Sequence, residues 1–289
     1  SHFYAVKDLF MDMHDLSGKL AVITGGSSGI GFSTALLLAK RGARILIVAR
    51  NEIKLAEAQQ QLSVHSQYPV VTLSADISQA EDIKKLAEEV HQLAPCADII
   101  INSAGIVSAG LLGDTPLDEW ERLYSLNVRG LVGVLQALTP AMEVQAKKDK
   151  KARHIVNVAS VAGIVGFPGM SAYSATKGAV ILLTESLRAE LSVYNIGVSA
   201  ICPAFVKTPI SETVQAFGRM DNPKTYRGIA KTFAQADLTP QDVAGATIKA
   251  MAKNKGLVVL GRVGKIANLV KRISPKIMNK IVNKQARVY

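Results

Sequence analysis

Three side chains between residues 154 and 177 have the types and order needed to move a proton to or from a substrate oxygen. Ser160 follows an apolar, β-branched run, residues 155–158, that predicts a strand buried on both faces. Tyr173 and Lys177 lie four residues apart, so on a helix they share one face. A free tyrosine has a pKa near ~10, which a neighbouring ammonium lowers. A serine hydroxyl can hydrogen-bond the oxygen on which charge changes. Two exposed helix residues would show the same spacing, so other features must decide.

A glycine-rich turn lies near the start of the chain, between an apolar run (residues 19–24) and a helical pattern (residues 32–41). Its residues are Gly25, Gly26, Ser27, Ser28, Gly29, Ile30 and Gly31. A turn of this kind lets the backbone approach a pyrophosphate, which the free N–H groups and the dipole of the helix N-terminus then hold. A tight connection would use the same glycines. The strand–turn–helix context favours a nucleotide site.

The end of the second predicted strand, residues 44–48, indicates which dinucleotide would bind. An acidic residue near this point would bind the ribose hydroxyls, whereas an arginine can pair with a 2′-phosphate. The chain has Arg50 here and no acid until Glu52. The prediction is NADP(H) rather than NAD, although an exposed charge at a strand end would look the same.

Three further places along the chain carry polar or small residues at the ends of predicted elements. Asp76 and Ile77 follow a strand at 69–73, where they could meet an adenine or cap a helix. Asn102 follows a strand at 98–101, and the small residues after it would let backbone pass beneath a cofactor. Asn127 lies inside a helical pattern at 117–138, where asparagine is a poor helix former, so it needs another reason.

Taken in order, these segments resemble the short-chain dehydrogenase/reductase family. The resemblance covers about residues 17–250 and rests on T-G-G-S-S-G-I-G at 24–31, D-I at 76–77, N-S-A-G at 102–105, N-V-x-G at 127–130, Ser160 and Y-S-A-T-K at 173–177. It implies an α/β fold with a single Rossmann-type, doubly wound parallel sheet of about seven strands and helices on both faces. It also implies a catalytic tetrad of Asn127, Ser160, Tyr173 and Lys177.

The same resemblance implies the cofactor contacts. They are Gly25, Ser27, Ser28, Gly29, Ile30, Gly31, Arg50, Asp76, Ile77, Asn102, Ala104, Gly105, Tyr173, Lys177, Pro203, Val206 and Thr208. Two residues depart from the family pattern: Ser103 replaces an asparagine, and Ala204 replaces a glycine in the segment expected to hold the nicotinamide. The run at 46–55 is similar to 3-ketosphinganine reductases and other long-chain 3-oxo reductases, and also to general carbonyl reductases.

Composition and charge limit the setting in which the protein works. The two cysteines, Cys96 and Cys202, lie in apolar surroundings and suggest a reducing, cytoplasmic compartment rather than a disulfide framework. No apolar run reaches the ~18 residues of a membrane helix, nothing resembles a signal peptide, and no metal site is expected.

The chain starts at Ser1 rather than Met. Part of residues 1–16 is therefore expected to be a remnant of expression, with Met11 or Met13 nearer the natural start.

The net charge of +11 is confined to the C-terminal part of the chain. Residues 249–289 hold eleven Lys or Arg and no acid, and the remaining 23 basic residues balance the 23 acidic ones. From residue 262 the apolar residues recur every three or four positions, which predicts a basic amphipathic helix region at 262–289, interrupted at Pro275. Such a helix indicates peripheral contact with a membrane surface, packing on a neighbouring subunit, or a cover over the substrate mouth. Without aromatic interleaving or a nucleic-acid motif, no nucleic-acid partner is expected.

The expected organisation is an N-terminal extension at 1–16, one Rossmann domain at 17–261 and the basic region at 262–289. The segment at about 207–236 shows no regular pattern, and the family resemblance implies that it is a lid over the substrate. Its aromatic residues suit either an apolar substrate or internal packing. The run at 147–153 is expected to be a solvated loop. The helix at 174–193 carries apolar residues on more than one side, which predicts packing on a partner helix. The family resemblance implies that this partner is a copy of the chain in a homodimer or homotetramer.

The expected activity is NADPH-dependent reduction of a hydrophobic ketone or 3-oxoacyl-like compound, including 3-ketosphinganine-like substrates. Tyr173 would protonate the oxygen, Ser160 would stabilise it, Lys177 would lower the pKa of the tyrosine, and Asn127 would anchor a relaying water. Two alternatives remain: oxidation of an alcohol, and a non-catalytic, NADP(H)-binding regulator or scaffold.

Overall fold

The computed structural model describes residues 11–286, with side chains as far as Lys284. Most of the predicted N-terminal extension and the last residues of the basic region lie outside this range.

Seven parallel strands form one sheet in the order β3-β2-β1-β4-β6-β7-β9, and β5 and β8 form a separate short pair. The strands are β1 Leu20–Thr24, β2 Arg44–Ala49, β3 Val71–Ser74, β4 Ile99–Asn102, β5 Ser108–Ala109, β6 Arg153–Val158, β7 Ile196–Pro203, β8 Gln215–Ala216 and β9 Leu257–Leu260. The central strands are buried on both faces because helices cover each side of the sheet.

Ten α-helices surround the sheet within the described residues. They are α1 Gly29–Ala39, α2 Glu52–Ser63, α3 Ala80–Leu93, α4 Leu117–Tyr124, α5 Leu131–Asp149, α6 Ser171–Leu191, α7 Pro223–Ala234, α8 Pro240–Ala252, α9 Arg262–Ile273 and α10 Pro275–Ala286. Apolar residues of α3, α5 and α6 form the core on one face of the sheet, and those of α1, α2 and α8 form the core on the other. The expected doubly wound Rossmann-type fold with about seven strands is confirmed.

The order of the strands reverses between β1 and β4, which fixes the place of the site. Thr24 of β1, Asn102 of β4 and Asn157 of β6 lie in register close to the carboxyl ends of their strands. In an open parallel sheet, the crevice beyond such a switch point is where ligands bind.

The single helix predicted at 117–138 is two helices joined by a turn of π-helix. Residues 125–130 form that turn between α4 and α5, with Asn127 inside it. Turns of this kind often mark functional sites within helices.

The prediction of a solvated loop at 147–153 is correct only for residues 150–152 and wrong at both ends. Helix α5 continues to Asp149, and Arg153 belongs to β6 with only 3% of its surface exposed. Its guanidinium donates to both carboxylate oxygens of Asp149, at 3.0 and 2.7 Å, and to the sulfur of Cys96 at 3.2 Å. A buried arginine needs such partners. Arg153, the last residue of the basic run, therefore links helix α5 to strand β6.

The segment at 207–236 is more regular than predicted. It contains β8 and the twelve-residue helix α7. The side chain of Asn222 accepts a hydrogen bond from the Thr225 amide, and Pro223 is the first helical residue. Asparagine at the N-cap followed by proline is a helix start signal that the apolar pattern alone did not reveal.

The basic C-terminal region forms two helices, α9 and α10, separated at Ser274. One side of the pair packs through Ala267 and Met278 on Val165, in the loop that follows Ser160. No helix within residues 11–286 combines the length and the apolar composition that crossing a bilayer requires.

Candidate active site

A cleft of about 370 Å³ opens beyond the carboxyl ends of the strands. Most of the predicted site residues line it: Gly25, Ser28, Gly29, Ile30, Arg50, Ala104, Gly105, Ser160, Tyr173, Lys177, Pro203, Val206 and Thr208. These residues come from the loops after β1, β2, β4, β6 and β7, from the last residue of β7, and from α1 and α6. Elements that are distant in sequence therefore converge on one crevice.

The glycine-rich turn has the geometry of a backbone cradle. Gly25 has a φ of +66°, and a Cβ there would lie 2.8 Å from the Ala104 amide nitrogen. A Cβ at Gly31 would lie 2.2 Å from the carbonyl oxygen of Gly25. Side chains are thus excluded at Gly25 and Gly31, which leaves the N-terminus of α1 open to a ligand. This arrangement fits the pyrophosphate of a dinucleotide.

Strand β6 and helix α6 position the three candidate catalytic side chains. Ser160 follows the end of β6, and its hydroxyl oxygen accepts a hydrogen bond of 3.1 Å from the Ala162 amide. Tyr173 and Lys177 are one turn apart on α6. The ammonium of Lys177 lies 5.8 Å from the centre of the Tyr173 ring and donates a 3.0 Å hydrogen bond to the carbonyl of Val158. All three groups meet in the cleft.

The protonation equilibria of these groups are governed by burial. Burial raises the pKa of Tyr173 to about 12, although interaction with the Ser160 hydroxyl acts in the opposite direction. Burial also lowers the pKa of Lys177 to about 8. The net shift of the Tyr173 pKa is therefore upward, which is opposite to the lowering expected from Lys177. A phenol with this pKa is protonated at neutral pH, which suits a proton donor.

Asn127 lies beside the catalytic groups but does not line the cleft. Its amide nitrogen donates to the carbonyl of Ile106, at 2.9 Å, and to the hydroxyl of Thr176, at 3.1 Å. Its amide oxygen accepts from the Ile106 amide at 2.9 Å. Thr176 in turn donates to the carbonyl of Tyr173. The side chain of Asn127 thus ties the loop after β4 to helix α6.

Five other predicted contacts also lie outside the cleft lining: Ser27, Gly31, Asp76, Ile77 and Asn102. The amide nitrogen of Asn102 donates across the sheet to Asn157, at 2.9 Å, rather than into the cleft. Asp76 accepts from the amide and hydroxyl of Ser78 and lies 3.7 Å from the guanidinium of Arg50. Asn102 therefore holds neighbouring strands together, and Asp76 holds the turn after β3.

One end of the cleft carries two cations, Arg50 and Lys54. Lys54 was not identified from the sequence. It lies in the first turn of α2, where its amide donates to the Asn51 side chain that caps the helix. Both cations can form charge-assisted hydrogen bonds with an anionic group of a ligand.

The rest of the cleft wall is mainly apolar, and most of it was missed because it comes from distant segments. Phe167 and Met170 belong to the loop before α6, and Val263 belongs to α9. Phe205 and Phe233 line the cleft and pack edge to face, with ring centres 5.4 Å apart. By contrast, Met220 is buried in a small separate core. The apolar residues of 207–236 thus divide between lining the cleft and internal packing.

Comparisons with known proteins agree with this geometry. A model of the short chain dehydrogenase family matches residues 19–217. The chain belongs to the short-chain dehydrogenase family. An uncharacterised oxidoreductase of Staphylococcus saprophyticus is 31% identical to this short-chain dehydrogenase over 239 residues, covering 83% of the chain and 93% of the relative.

Two similar solved structures differ in their cofactor. One is a short-chain dehydrogenase/reductase from Burkholderia phymatum in complex with NAD, with a TM-score of 0.82 and 28% identity over 92% of this chain and 96% of that one. The other is L-sorbose reductase from Gluconobacter frateurii with NADPH and L-sorbose, with a TM-score of 0.74 and 27% identity over 86% of this chain and 97% of that one. The family assignment is therefore confirmed, and the choice of dinucleotide has to be argued from this chain's own residues.

Proposed function

We propose that this short-chain dehydrogenase is an NADPH-dependent carbonyl reductase that acts on a hydrophobic ketone. The observation that carries the proposal is the meeting of Ser160, Tyr173 and Lys177 in a cleft whose other end holds Arg50 and Lys54. A proton donor and a dinucleotide cradle share one crevice, which is the arrangement that carbonyl reduction requires.

Each catalytic side chain has a role that follows from its position. The cofactor, when bound, supplies the hydride that reduces the carbonyl carbon. Tyr173 donates the proton to the carbonyl oxygen, which is consistent with a phenol that burial keeps protonated. Ser160 donates a hydrogen bond to the same oxygen. Lys177 holds the cofactor ribose and stabilises the phenolate left on Tyr173.

Asn127 is a positioning residue in this proposal. Both hydrogens of its side-chain amide are committed to Ile106 and Thr176. A relay water is therefore expected to bind the backbone carbonyl of the π-helical turn rather than the amide nitrogen. Asp76 and Ile77 are proposed to lie near the adenine. The other three residues outside the cleft lining, Ser27, Gly31 and Asn102, are proposed to support the residues that contact the cofactor.

The preference for NADPH rests on two cations rather than one. Arg50 stands where an NAD-binding chain would carry an acid, and Lys54 lines the same end of the cleft. Arginine and lysine both form charge-assisted hydrogen bonds with phosphate. Neither would have an anionic partner on the adenosine ribose of NAD.

The substrate is proposed to be apolar or lipid-like, in the range of hydrophobic ketones, 3-oxoacyl compounds and 3-ketosphinganine-like compounds. The support is the apolar wall made by Phe167, Met170, Phe205 and Phe233. In this organisation residues 17–261 form the catalytic domain, and the segment at 207–236, with α7, is the lid over the substrate.

The wider setting is also part of the proposal. Apolar residues remain exposed on α6 and beyond it, among them Leu182, with 67% of its surface exposed, and Val193. They support a homodimer or homotetramer formed through this helix. Light scattering that gives the mass of a monomer at micromolar concentration would contradict it. The proposed location is cytoplasmic, with peripheral membrane contact through the basic region at 262–289.

The experiment that tests the activity incubates the purified protein with NADPH or NADH and a graded series of ketones from short to long chain. Oxidation of NADPH that increases with chain length supports the proposal. Turnover that occurs only with alcohols and NADP⁺ would favour the oxidative direction. Tight NADPH binding without turnover of any ketone or alcohol would favour a non-catalytic regulator or scaffold.

A further inference from the structure

The helix pair α9–α10 presents apolar side chains to solvent on the side that does not pack against the protein. On α9 these are Val263, Ile266, Leu269 and Ile273, which recur every three or four residues and so share one face. On α10 they are Ile277 and Ile281, one turn apart. These six residues are termed the apolar stripe. Large aliphatic side chains grouped in this way on a surface usually mark a docking site.

The surroundings of the apolar stripe are strongly basic. Arg262, Lys265, Arg272, Lys276 and Lys280 are all exposed on the same two helices. Residues 249–289 contain no acid in the sequence, so the region has no internal counter-charge. Such a surface attracts an anionic partner and repels a second copy of itself. A symmetric dimer through this face would bring two such basic regions together, which costs free energy.

The apolar stripe begins at the catalytic cleft. Val263 lines the cleft and is also 66% exposed, so it belongs to both surfaces. On the adjoining face the helix pair packs through Ala267 and Met278 on Val165, and the ammonium of Lys271 donates a hydrogen bond to the carbonyl of Ile164. This loop follows Ser160 and continues to Phe167 in the cleft wall. The helix pair is thus attached directly to the substrate side of the site.

We infer that α9 and α10 dock on an anionic lipid bilayer and place the cleft mouth at the membrane surface, so that a lipid-like ketone enters from the bilayer. Burial of the apolar stripe in the interfacial region supplies the hydrophobic part of the binding. The basic residues supply the electrostatic part, because anionic lipid headgroups attract Lys and Arg near the surface. Entry of substrate from the lipid rests on the proposed function, whereas docking does not.

The first measurement is co-sedimentation with vesicles of phosphatidylcholine and phosphatidylglycerol, compared with vesicles of phosphatidylcholine alone. Binding to the anionic vesicles is expected, weakened by added salt because exposed charges are screened. Ile273→Asp, at a site with 74% of its surface exposed, is expected to reduce the partition by about tenfold or more. Val64→Asp is the matched control, since Val64 is 78% exposed on the far end of α2, and it should leave the partition unchanged.

A second pair of variants separates charge from apolar burial. The double variant Lys265→Gln and Arg272→Gln is expected to lose about tenfold in partition to anionic vesicles. Lys84→Gln together with Lys85→Gln removes the same charge from α3 and should have little effect. Equal partition of the unmutated protein, Ile273→Asp and the Lys265/Arg272 double variant would overturn the inference. So would a fall in oligomer mass on Ile273→Asp in a protein that binds no vesicles, because the stripe would then be a subunit interface.

Turnover provides a separate readout for substrate entry. A long-chain ketone embedded in anionic vesicles should be reduced more slowly by Ile273→Asp, while a short water-soluble ketone should be reduced at the unmutated rate. If vesicle binding responds to the variants but no ketone is reduced, docking stands and the proposed activity is wrong. If the unmutated protein reduces the embedded ketone without binding vesicles, the docking inference is wrong and the activity stands.

Discussion

The ammonium of Lys177 donates a 3.0 Å hydrogen bond to the carbonyl of Val158, which joins helix α6 to the end of strand β6. Ser160 comes two residues after Val158, so the end of strand β6 positions both the lysine ammonium and the serine hydroxyl. The bond holds a buried cation where its charge is costly, and burial lowers the pKa of Lys177 to about 8. The position of this ammonium relative to Tyr173 therefore depends on the sheet and not on α6 alone.

Replacement of Tyr173 by phenylalanine removes the proposed proton donor and retains the ring. Turnover of a ketone is expected to fall by roughly 10²–10⁴-fold, which is the usual contribution of general acid catalysis. The dissociation constant for NADPH, measured by fluorescence titration, should change little. Tyr124→Phe, at an exposed tyrosine of α4, is the control and should retain full activity. Retained turnover in Tyr173→Phe, or loss of NADPH binding with it, would contradict the role given to the phenol.

The two directions of reaction should respond differently to pH. The pKa of Tyr173 is about 12, so the protonated phenol needed for reduction predominates throughout the neutral range. The phenolate needed for oxidation is scarce and increases tenfold per pH unit. Between about pH 6 and 7, where Lys177 keeps its proton, kcat for ketone reduction is expected to be flat and kcat for alcohol oxidation to rise. A reduction rate that climbs with pH across this interval would show that Tyr173 does not donate the proton.

Arg50 and Lys54 should each contribute to the choice of cofactor. A hydrogen bond to a charged group is worth about 1.5–3 kcal/mol, so Arg50→Asp and Lys54→Ala should each reduce the preference for NADPH over NADH by about tenfold or more. The ratio of kcat/KM values for the two cofactors measures this. Lys84→Ala, at an exposed lysine of α3, serves as the control. If the unmutated protein uses NADH as well as NADPH, the assignment of this end of the cleft is wrong.

The parts that were predictable from the sequence are those that depend on neighbouring residues. Short β-branched runs predict six of the seven sheet strands, the last of them from the apolar run at 256–261. The glycine-rich turn and the Tyr173–Lys177 spacing are also local patterns. β7, at Ile196–Pro203, was not identified by pattern, and the family resemblance supplied only its end. Gly197 and Ser199 interrupt its apolar run, although every residue of the strand is buried.

The missing parts depend on contacts between distant segments. Val263 reaches the cleft because α9 packs back on the loop after Ser160, roughly a hundred residues earlier in the chain. The burial of Arg153 requires Asp149 and Cys96 to converge on it from two other elements. Neither arrangement leaves a periodic signal in the sequence. Helix α7 is a different case. Asn222 and Pro223 are a helix start signal in the sequence, but the mixed polar and apolar residues of this exposed helix obscured it.

A buried histidine far from the catalytic groups should make stability depend on acidity. His154 lies in β6, and its Nε2 is 2.8 Å from the hydroxyl oxygen of Ser199. Because that hydroxyl donates to the carbonyl of Lys255, at 2.6 Å, the Nε2 must carry the hydrogen and Nδ1 must be unprotonated. Protonation would place a charge at Nδ1. This atom packs so closely on Gly197 that a Cβ added to that glycine would lie only 2.4 Å from it. Burial, with a smaller contribution from Arg188, lowers the pKa of His154 from 6.5 to about 3.

The sign of the effect follows from the lowered pKa. Between pH 6.5 and 3 the unfolded chain binds a proton that the folded chain does not, so the folded state loses stability as the pH falls through this window. The loss is about 1.4 kcal/mol per pH unit, or about 2 kcal/mol between pH 6.5 and 5. Above pH 6.5 the contribution of His154 is constant.

His154→Gln keeps a donor for Ser199 and cannot be charged, so its free energy of unfolding in urea should decline less between about pH 7 and 5. His91→Gln, at an exposed histidine of α3, should follow the unmutated protein. An equal decline in His154→Gln and the unmutated protein would place the acid sensitivity in other groups.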